Sequence, residues 1–307
     1  MHMLKIITHE AFAHHPVPMG HPERPDRIRT VWQAIEEKFA DIECLEAPKA
    51  APDRIALVHG NAYLDAIASY DTQSDGTTPL DPDTHMGRGS LEAGLRAAGG
   101  AVLAVDEVMT GAAERVFLAA RPPGHHAEPD TAMGFCLFSS AAIAAQHARE
   151  LYGLTRVAVV DFDVHHGNGP QAAFWHDGDL LFASSHQMPL FPGTGAADET
   201  GQGNIHNAPL RAGSDGDTVI SVWRDHLIPK IKAGKPELII LSAGFDAHID
   251  DPLASVELEA EDFATLTTLI RQLAEDCADG RLVSLLEGGY DLAALKASVT
   301  SHLNALR

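Results

Sequence analysis

The sequence is poor in cysteine, in basic residues and in long apolar runs. Its three cysteines, Cys44, Cys136 and Cys277, are odd in number and show no C-x-x-C spacing. That pattern excludes a disulfide framework and points to a reducing compartment. Lys and Arg total 22 against 43 Asp and Glu, a formal net charge of −21. So little positive charge argues against direct contact with nucleic acid, which needs basic patches. An acidic surface steers cationic substrates inward, and it also simply maintains solubility. No span of 18 apolar residues exists, and the chain enters its first apolar run, 4–7, without the hydrophobic region of a signal peptide. The expectation is a cytoplasmic protein with no membrane contact. Pro-, Gly- or Ser-rich linkers, internal repeats and low-complexity tracts are also missing, and Met1-His2-Met3 is given no role.

What is present alternates. Short apolar runs at 4–8, 115–120, 157–160, 238–241 and 282–286 read as buried parallel strands. Between them lie helical patterns. Residues 26–39 place Ile28, Val31, Trp32 and Ile35 on one face, and 261–277 space Phe263, Leu266, Ile270, Leu273 and Cys277 at 3, 4, 3 and 4. Ser90 is a candidate N-cap for a helix running to about Met109, and a further helix is expected near 139–151. Residues 9–27 are rich in His and Pro and read as loop. Loops 71–89 and 188–207, rich in Gly, Pro and Asp, are candidate pocket walls. The order predicts an α/β fold, one domain over residues 1–307, with a central parallel β-sheet flanked by helices.

Four of the apolar runs end in chemistry-bearing clusters: Arg121-Pro122-Pro123-Gly124-His125-His126, Asp161-Phe162-Asp163-Val164-His165-His166-Gly167-Asn168, Ser242-Ala243-Gly244-Phe245-Asp246 and Glu287-Gly288-Gly289-Tyr290. Open α/β sheets build their sites at the carboxyl ends of strands, so these segments are expected to converge on one pocket. Splitting the chain would split that pocket. Asp163 and His165, two apart at a strand end, are expected to point the same way by strand alternation. With Asp246 they make a set of one His and two Asp that leaves a fourth position open, as a catalytic zinc site requires. Two carboxylates nearly neutralise Zn²⁺, so a bound water would be acidified less than in a three-histidine site, and His125 and His126 are at hand to move protons.

RPPGHH, DFDVHHGNG, LFPGTG, SAGFD and LEGGY, in this order, closely resemble the zinc-dependent histone deacetylase family, nearest the class II and bacterial deacetylase-like branch that includes acetylpolyamine amidohydrolases. The resemblance covers most of the chain, beginning with Gly20-His21-Pro22-Glu23-Arg24-Pro25-Asp26-Arg27. It implies an arginase/deacetylase-like fold, with zinc held by Asp163, His165 and Asp246. It implies proton transfer by His125 and His126, with Asp161 orienting His125 and Asn168 orienting His126, and polarisation of the amide carbonyl by Tyr290. Gly134, Phe135 and Phe191 would line a narrow tunnel, and Leu253 would occupy a rim position that is acidic in dedicated polyamine deacetylases. A monovalent cation, usually potassium, would sit near Asp161, Asp163 and Ser184, and Arg27 would lie beside an acetate-release cavity.

The implied reaction is hydrolysis of an acetyl amide, on a lysine-containing peptide or a small acylated amine. A carboxylate partner stabilises an imidazolium more than an amide does, so His126 is expected to have the lower pKa and to act as the base. Fe²⁺ in place of zinc is compatible with the ligand set. Alternative readings are an acetylpolyamine deacetylase, a non-catalytic acyl-lysine binder and, more remotely, an arginase-like two-metal enzyme. Oligomeric state is left open. Of the remaining histidines among 18, His14, His15 and His21 read as surface groups and His166 as structural, while His186 and His248 stay undecided. Gly288 and Gly289 read as backbone requirements beside the site.

Overall fold

The computed structural model describes residues 4–71 and 76–307; His2 and residues 72–75 of the 71–89 loop lie outside them. Ten strands form in chain order: β1 Leu4–Thr8, β2 Glu43–Glu46, β3 Thr77–Pro79, β4 His85–Gly87, β5 Arg115–Leu118, β6 Val157–Asp161, β7 Leu180–Gln187, β8 Ile205–Leu210, β9 Leu238–Ala243 and β10 Leu282–Leu286. Eight of them make one sheet in the order β2-β1-β5-β10-β9-β6-β7-β8, and every pairing in it is parallel. β3 and β4 pair antiparallel in a small separate ribbon.

The central strands are buried along their whole length, which is why β6, β9 and β10 are mostly continuous apolar runs rather than alternating ones, whereas β7 ends in Ser184-Ser185-His186-Gln187. Helices cover the sheet through the expected stripes. Ile28, Val31 and Ile35 of helix Asp26–Lys38 are buried, as are Phe263, Leu266, Ile270 and Leu273 of helix Ala260–Cys277. Each such side chain contributes about 1.5–3 kcal/mol of burial free energy. One cluster built on the sheet carries most of the core, so the chain is a single α/β domain.

Register sets up the site. Asp161 of β6 stands opposite Ser184 of β7 and Ser242 of β9, and Leu285 of β10 pairs with both Ser242 of β9 and Leu118 of β5. The carboxyl ends of β5, β10, β9 and β6 are therefore level to within about a residue, β7 runs three residues further, and the segments that follow the four open on the same edge.

Four local readings are corrected. Segments 71–89 and 188–207 are not all loop, since β3 and β4 form within the first and β8 begins at Ile205 within the second. Ser90 is the first residue of helix Ser90–Met109 and not its cap; Gly89, at φ +94°, takes that position. The Ser90 hydroxyl is engaged instead with the Gly87 N–H and His15 Nδ1. Residues 9–27 are not all loop, since Glu10–Ala13 forms a 3₁₀ turn capped by the His9 side chain. His15 is not a surface group, for its ring is buried beside Glu23 and Ser90. Among the described residues no helix is long and apolar enough to cross a membrane.

Candidate metal centre and catalytic pocket

β6 ends at Asp161, so Asp163 and His165 lie beyond the strand and strand alternation does not aim them. Side chains fold the segment instead. Asp161 Oδ1 accepts from the Asp163 N–H at 2.9 Å, and Asp163 Oδ1 accepts from the His165 N–H at 2.9 Å. Two successive turns of this kind, in which a short acid bonds the backbone two residues on, bring Asp163 and His165 to one side. Asp246 Oδ1 accepts from the Val164 N–H at 2.9 Å, tying the segment after β9 to the one after β6.

Asp163, His165 and Asp246 are buried, and their candidate ligand atoms all lie within 4.8 Å of one another. His165 Nδ1 is 3.0 Å from Asp246 Oδ2 and 3.2 Å from Asp163 Oδ1. Two glycines make room for the carboxylates. A Cβ on Gly244 would meet Asp163 Oδ2 at 1.9 Å, and one on Gly288 would meet Asp246 Oδ2 at 2.1 Å. Burial alone would lower the His165 pKa, but the carboxylates of Asp246 and Asp163 outweigh it and push it up to about 10. Two buried carboxylates beside one imidazole, with ligand atoms this close, form a group that could hold a cation. Its donors, one imidazole and two carboxylates, are those of a zinc or iron site with an open position.

Beside it, the rings of His125 and His126 lie against each other, with centroids 4.0 Å apart and planes tilted by 41°. His125 Nδ1 donates to Asp161 Oδ2 at 3.0 Å, whereas His126 Nδ1 donates to Asn168 Oδ1 at 2.9 Å. Burial opposes charge on both rings. At His125 the carboxylates of Asp163 and Asp161 win and raise its pKa well above normal. At His126 burial is reinforced by the neighbouring rings of His125 and His165, and its pKa falls well below normal. His126 has the lower value of the two.

Gly289 adopts φ +117°, and Tyr290 follows it into the pocket. Burial, helped by Asp246 and Asp163, outweighs the Arg27 guanidinium and pushes the Tyr290 hydroxyl well above its ordinary pKa, so it keeps its proton. Arg27 is fully buried. It donates through Nε to the Gly289 carbonyl and through a terminal nitrogen to the Glu287 carbonyl, both at 2.6 Å, and lies 4.8 Å from the Tyr290 ring centroid.

A pocket of about 290 Å³ opens above these groups. His126, His165 and Tyr290 line it together with Gly134, Phe135, Phe191 and Leu253. Gly134 is required there: at φ +56°, a Cβ would meet His126 Cδ2 at 2.4 Å. Phe135 holds φ +70°, anchored by its N–H to Thr84 Oγ1 and by edge contact with the His21 ring. Such a backbone costs on the order of 1–3 kcal/mol for a residue with a side chain, and here it turns an aromatic wall inward. Phe191 packs edge-on to His126, with ring centroids 5.0 Å apart. For the cation group, Asp161 and Ser184 stand level on adjacent strands, and the Ser184 hydroxyl pairs with His186 Nδ1 at 2.9 Å. His166 bonds Thr194 and Gln171, away from the triad.

Sequence reasoning missed several partners. Glu287 is buried, and its Oε2 accepts from the N–H groups of Gly124 and His125 at 2.7 and 3.2 Å. It fixes the backbone under the histidine pair. Its place directly after an apolar run and before Gly-Gly-Tyr was a usable signal. Asp251 accepts from the N–H groups of Tyr290 and Leu253. His21, read as a surface group, and Asp83 line the pocket, and the His21 ring bonds the Asp83 carbonyl.

The histone deacetylase domain matches residues 21–306. A histone deacetylase-like amidohydrolase of Pseudomonas aeruginosa is 37% identical over 285 residues, covering 91% of this chain and 74% of that one. A probable deacetylase of Archaeoglobus fulgidus is 37% identical over 295 residues, covering 94% and 81%. Chloroplastic histone deacetylase 14 of Arabidopsis thaliana is 37% identical over 312 residues, covering 94% and 73%. Among solved structures, the HD domain of HDA15 superposes with a TM-score of 0.92 at 32% identity, covering 100% of this chain and 90% of that one.

Proposed function

Because the chain belongs to the histone deacetylase family and is thereby a hydrolytic deacetylase, we propose that it is a zinc-dependent amidohydrolase acting on acetyl-lysine or a similar acylated amine. One observation carries the reading. Two neighbouring histidines with unlike partners, Asp161 and Asn168, stand beside the Asp163–His165–Asp246 group, and His126, His165 and Tyr290 line one pocket.

Asp163, His165 and Asp246 would hold the zinc, which when bound supplies a Lewis acid to polarise the carbonyl and acidify a water. His126, uncharged and with Nε2 free, takes the proton of the attacking water and returns it to the departing amine. His125, held charged by Asp161, stabilises the negative charge that develops nearby. Tyr290 keeps its proton and donates a hydrogen bond to the carbonyl oxygen as it becomes an oxyanion. Phe135 and Phe191, with Gly134 between wall and His126, hold the aliphatic chain, and Leu253 gives the rim an apolar contact. A potassium ion near Asp161, Asp163 and Ser184, a catalytic domain spanning 1–307 and a cytoplasmic location belong to the same reading. The location is supported by the three free cysteines. Neither nucleic acid nor membrane enters it, and Fe²⁺ is the alternative metal.

A second reading, an acetylpolyamine or other small acylated-amine deacetylase, is favoured by Asp83 at the pocket and by the acidic net charge, and opposed by the apolar Leu253. The test is an assay on a fluorogenic acetyl-lysine peptide and on acetylspermidine, before and after chelation, with Zn²⁺ or Fe²⁺ restored. Peptide turnover that is lost and regained supports the first reading. A large excess of acetylspermidine turnover selects the second. Tight acyl-peptide binding without turnover in any metal state defeats both.

A further inference from the structure

Asn168 faces more than His126. Its Nδ2 lies 2.7 Å from Glu128 Oε1 and 3.2 Å from the His126 carbonyl oxygen, with Met133 Sδ at 3.4 Å. A carboxamide can turn over, exchanging its oxygen for its NH₂ with almost no change of shape. Which way it lies decides where the ring carries its proton. An oxygen at Nδ1 requires Nδ1–H and leaves the Nε2 lone pair free. An NH₂ at Nδ1 requires a bare Nδ1, places the proton on Nε2 and abolishes the base. The Glu128 carboxylate and the His126 carbonyl only accept, so an overturned amide would set its oxygen against two others.

We infer that Glu128 is a positioning residue for the reaction: its carboxylate keeps the Asn168 oxygen toward His126 and so holds the imidazole in the tautomer with a free Nε2. The inference rests on His126 being the base. Glu128 is itself fixed, because its N–H and carbonyl both pair with Thr131 across a tight turn. It does not line the pocket that holds Tyr290. With Asn168, Gln171, Trp175 and Thr194 it lines a separate cavity of about 310 Å³. A change at Glu128 therefore reaches the reacting groups through Asn168 and leaves the acyl-binding walls alone. With an aspartate at 168 both oxygens would accept, nothing could overturn, and the device would have no purpose.

The test uses the full chain, zinc-loaded for kinetics and metal-free for NMR. Glu128→Ala should lower kcat about tenfold with KM unchanged, the usual scale for losing an orienting partner. ¹⁵N spectra of histidine-labelled metal-free protein, with His126 identified by the signals lost in His126→Ala, should show Nδ1–H in the parent and Nε2–H populated in Glu128→Ala. Glu128→Gln, which can accept from Asn168 but can also turn an NH₂ toward an overturned Asn168 oxygen, should fall between Glu128→Ala and the parent in both readouts. In an Asn168→Asp background the new carboxylate would face that of Glu128, so Glu128→Ala should cause no loss of kcat, the orienting contact being gone and a like charge removed. Parent kcat and parent tautomer in Glu128→Ala overturn the inference, and so does a rate loss that persists in the Asn168→Asp background. If the parent hydrolyses no acylated amine, the functional reading fails while the NMR result still decides this one.

Discussion

His125 and His126 lie ring against ring, 4.0 Å between centroids, and yet the environment drives their basicities apart, one up and one down. At His125 the carboxylates of Asp163 and Asp161 raise the basicity, whereas at His126 burial and the rings of His125 and His165 lower it, and its Nδ1 partner is an amide that brings no charge to oppose them. In the proposed reaction two adjacent residues of one type would thus take the charged and the neutral role, with Nδ1 partners 36 and 42 positions away in sequence.

This assignment predicts the effect of Asn168→Asp. A carboxylate at Nδ1 stabilises the protonated ring, so the pKa of His126 rises. The base must be neutral, and it now becomes charged at a higher pH. The acidic limb of the kcat–pH profile should move upward, while the basic limb stays in place. An unmoved acidic limb would remove His126 from the role of base.

In the proposed reaction Tyr290 donates to the developing oxyanion, and it is not one of the three residues that would hold the metal. Tyr290→Phe should lower kcat on the order of a hundredfold or more, the cost of removing one such donor, with zinc content by elemental analysis unchanged. A near-parental rate would mean that another group stabilises the oxyanion.

Gly288 has no room for a side chain. A methyl group there would sit 2.1 Å from Asp246 Oδ2 and 2.6 Å from Asp163 Oδ2, forcing the carboxylates apart. Gly288→Ala should weaken zinc at least about tenfold, the low end for displaced metal-site geometry. In competition with a chromophoric chelator the variant should lose the metal first. It should also lack the rise in Tm that zinc confers on the parent by binding the folded state. Parental affinity would show that the three residues do not hold the metal together.

Stability should fall in acid through histidines far from the pocket. His302 is fully buried between Thr267 and Ser284, and burial pushes its pKa down to about 3. The unfolded chain takes up this proton near pH 6.5. Between about pH 6.5 and 3 the unfolded state binds more protons, so stability drops as pH falls, by up to about 1.4 kcal/mol per pH unit for this group. Urea midpoints measured from pH 7.5 to 5 should decline, and His302→Gln should flatten the slope. An equal slope in the variant would assign the effect to other groups.

The sequence exposed β1, β5, β6, β9 and β10 and the site clusters because buried parallel strands leave continuous apolar runs, and four of the clusters follow directly on them; it concealed β7, whose second half is polar although buried. It concealed the way Asp163 and His165 come together. Strand alternation gave the right meeting for the wrong reason, since β6 has already ended and two acid-to-backbone turns do the aiming. Ser90 misled because a serine before an apolar stripe looks the same whether its hydroxyl caps the helix or reaches His15. The edge strands β2 and β8 carry mixed residues and weak patterns, with burial to match. Glu128 and Asp251 act through contacts 40 and 39 residues away, and no local pattern marks such partners.

β10 is the last strand in sequence but sits inside the sheet, bonded to β5 on one side and to β9 on the other. A chain leaving the ribosome therefore presents an open slot at its centre until residues 282–286 emerge. Non-local parallel pairing of this kind is slow to form. Meanwhile two interior strand edges stand bare, a state prone to aggregation. Glu287, Gly288 and Tyr290 all follow that strand, so an unfinished molecule has no working pocket. Completion of the sheet and onset of activity are one event.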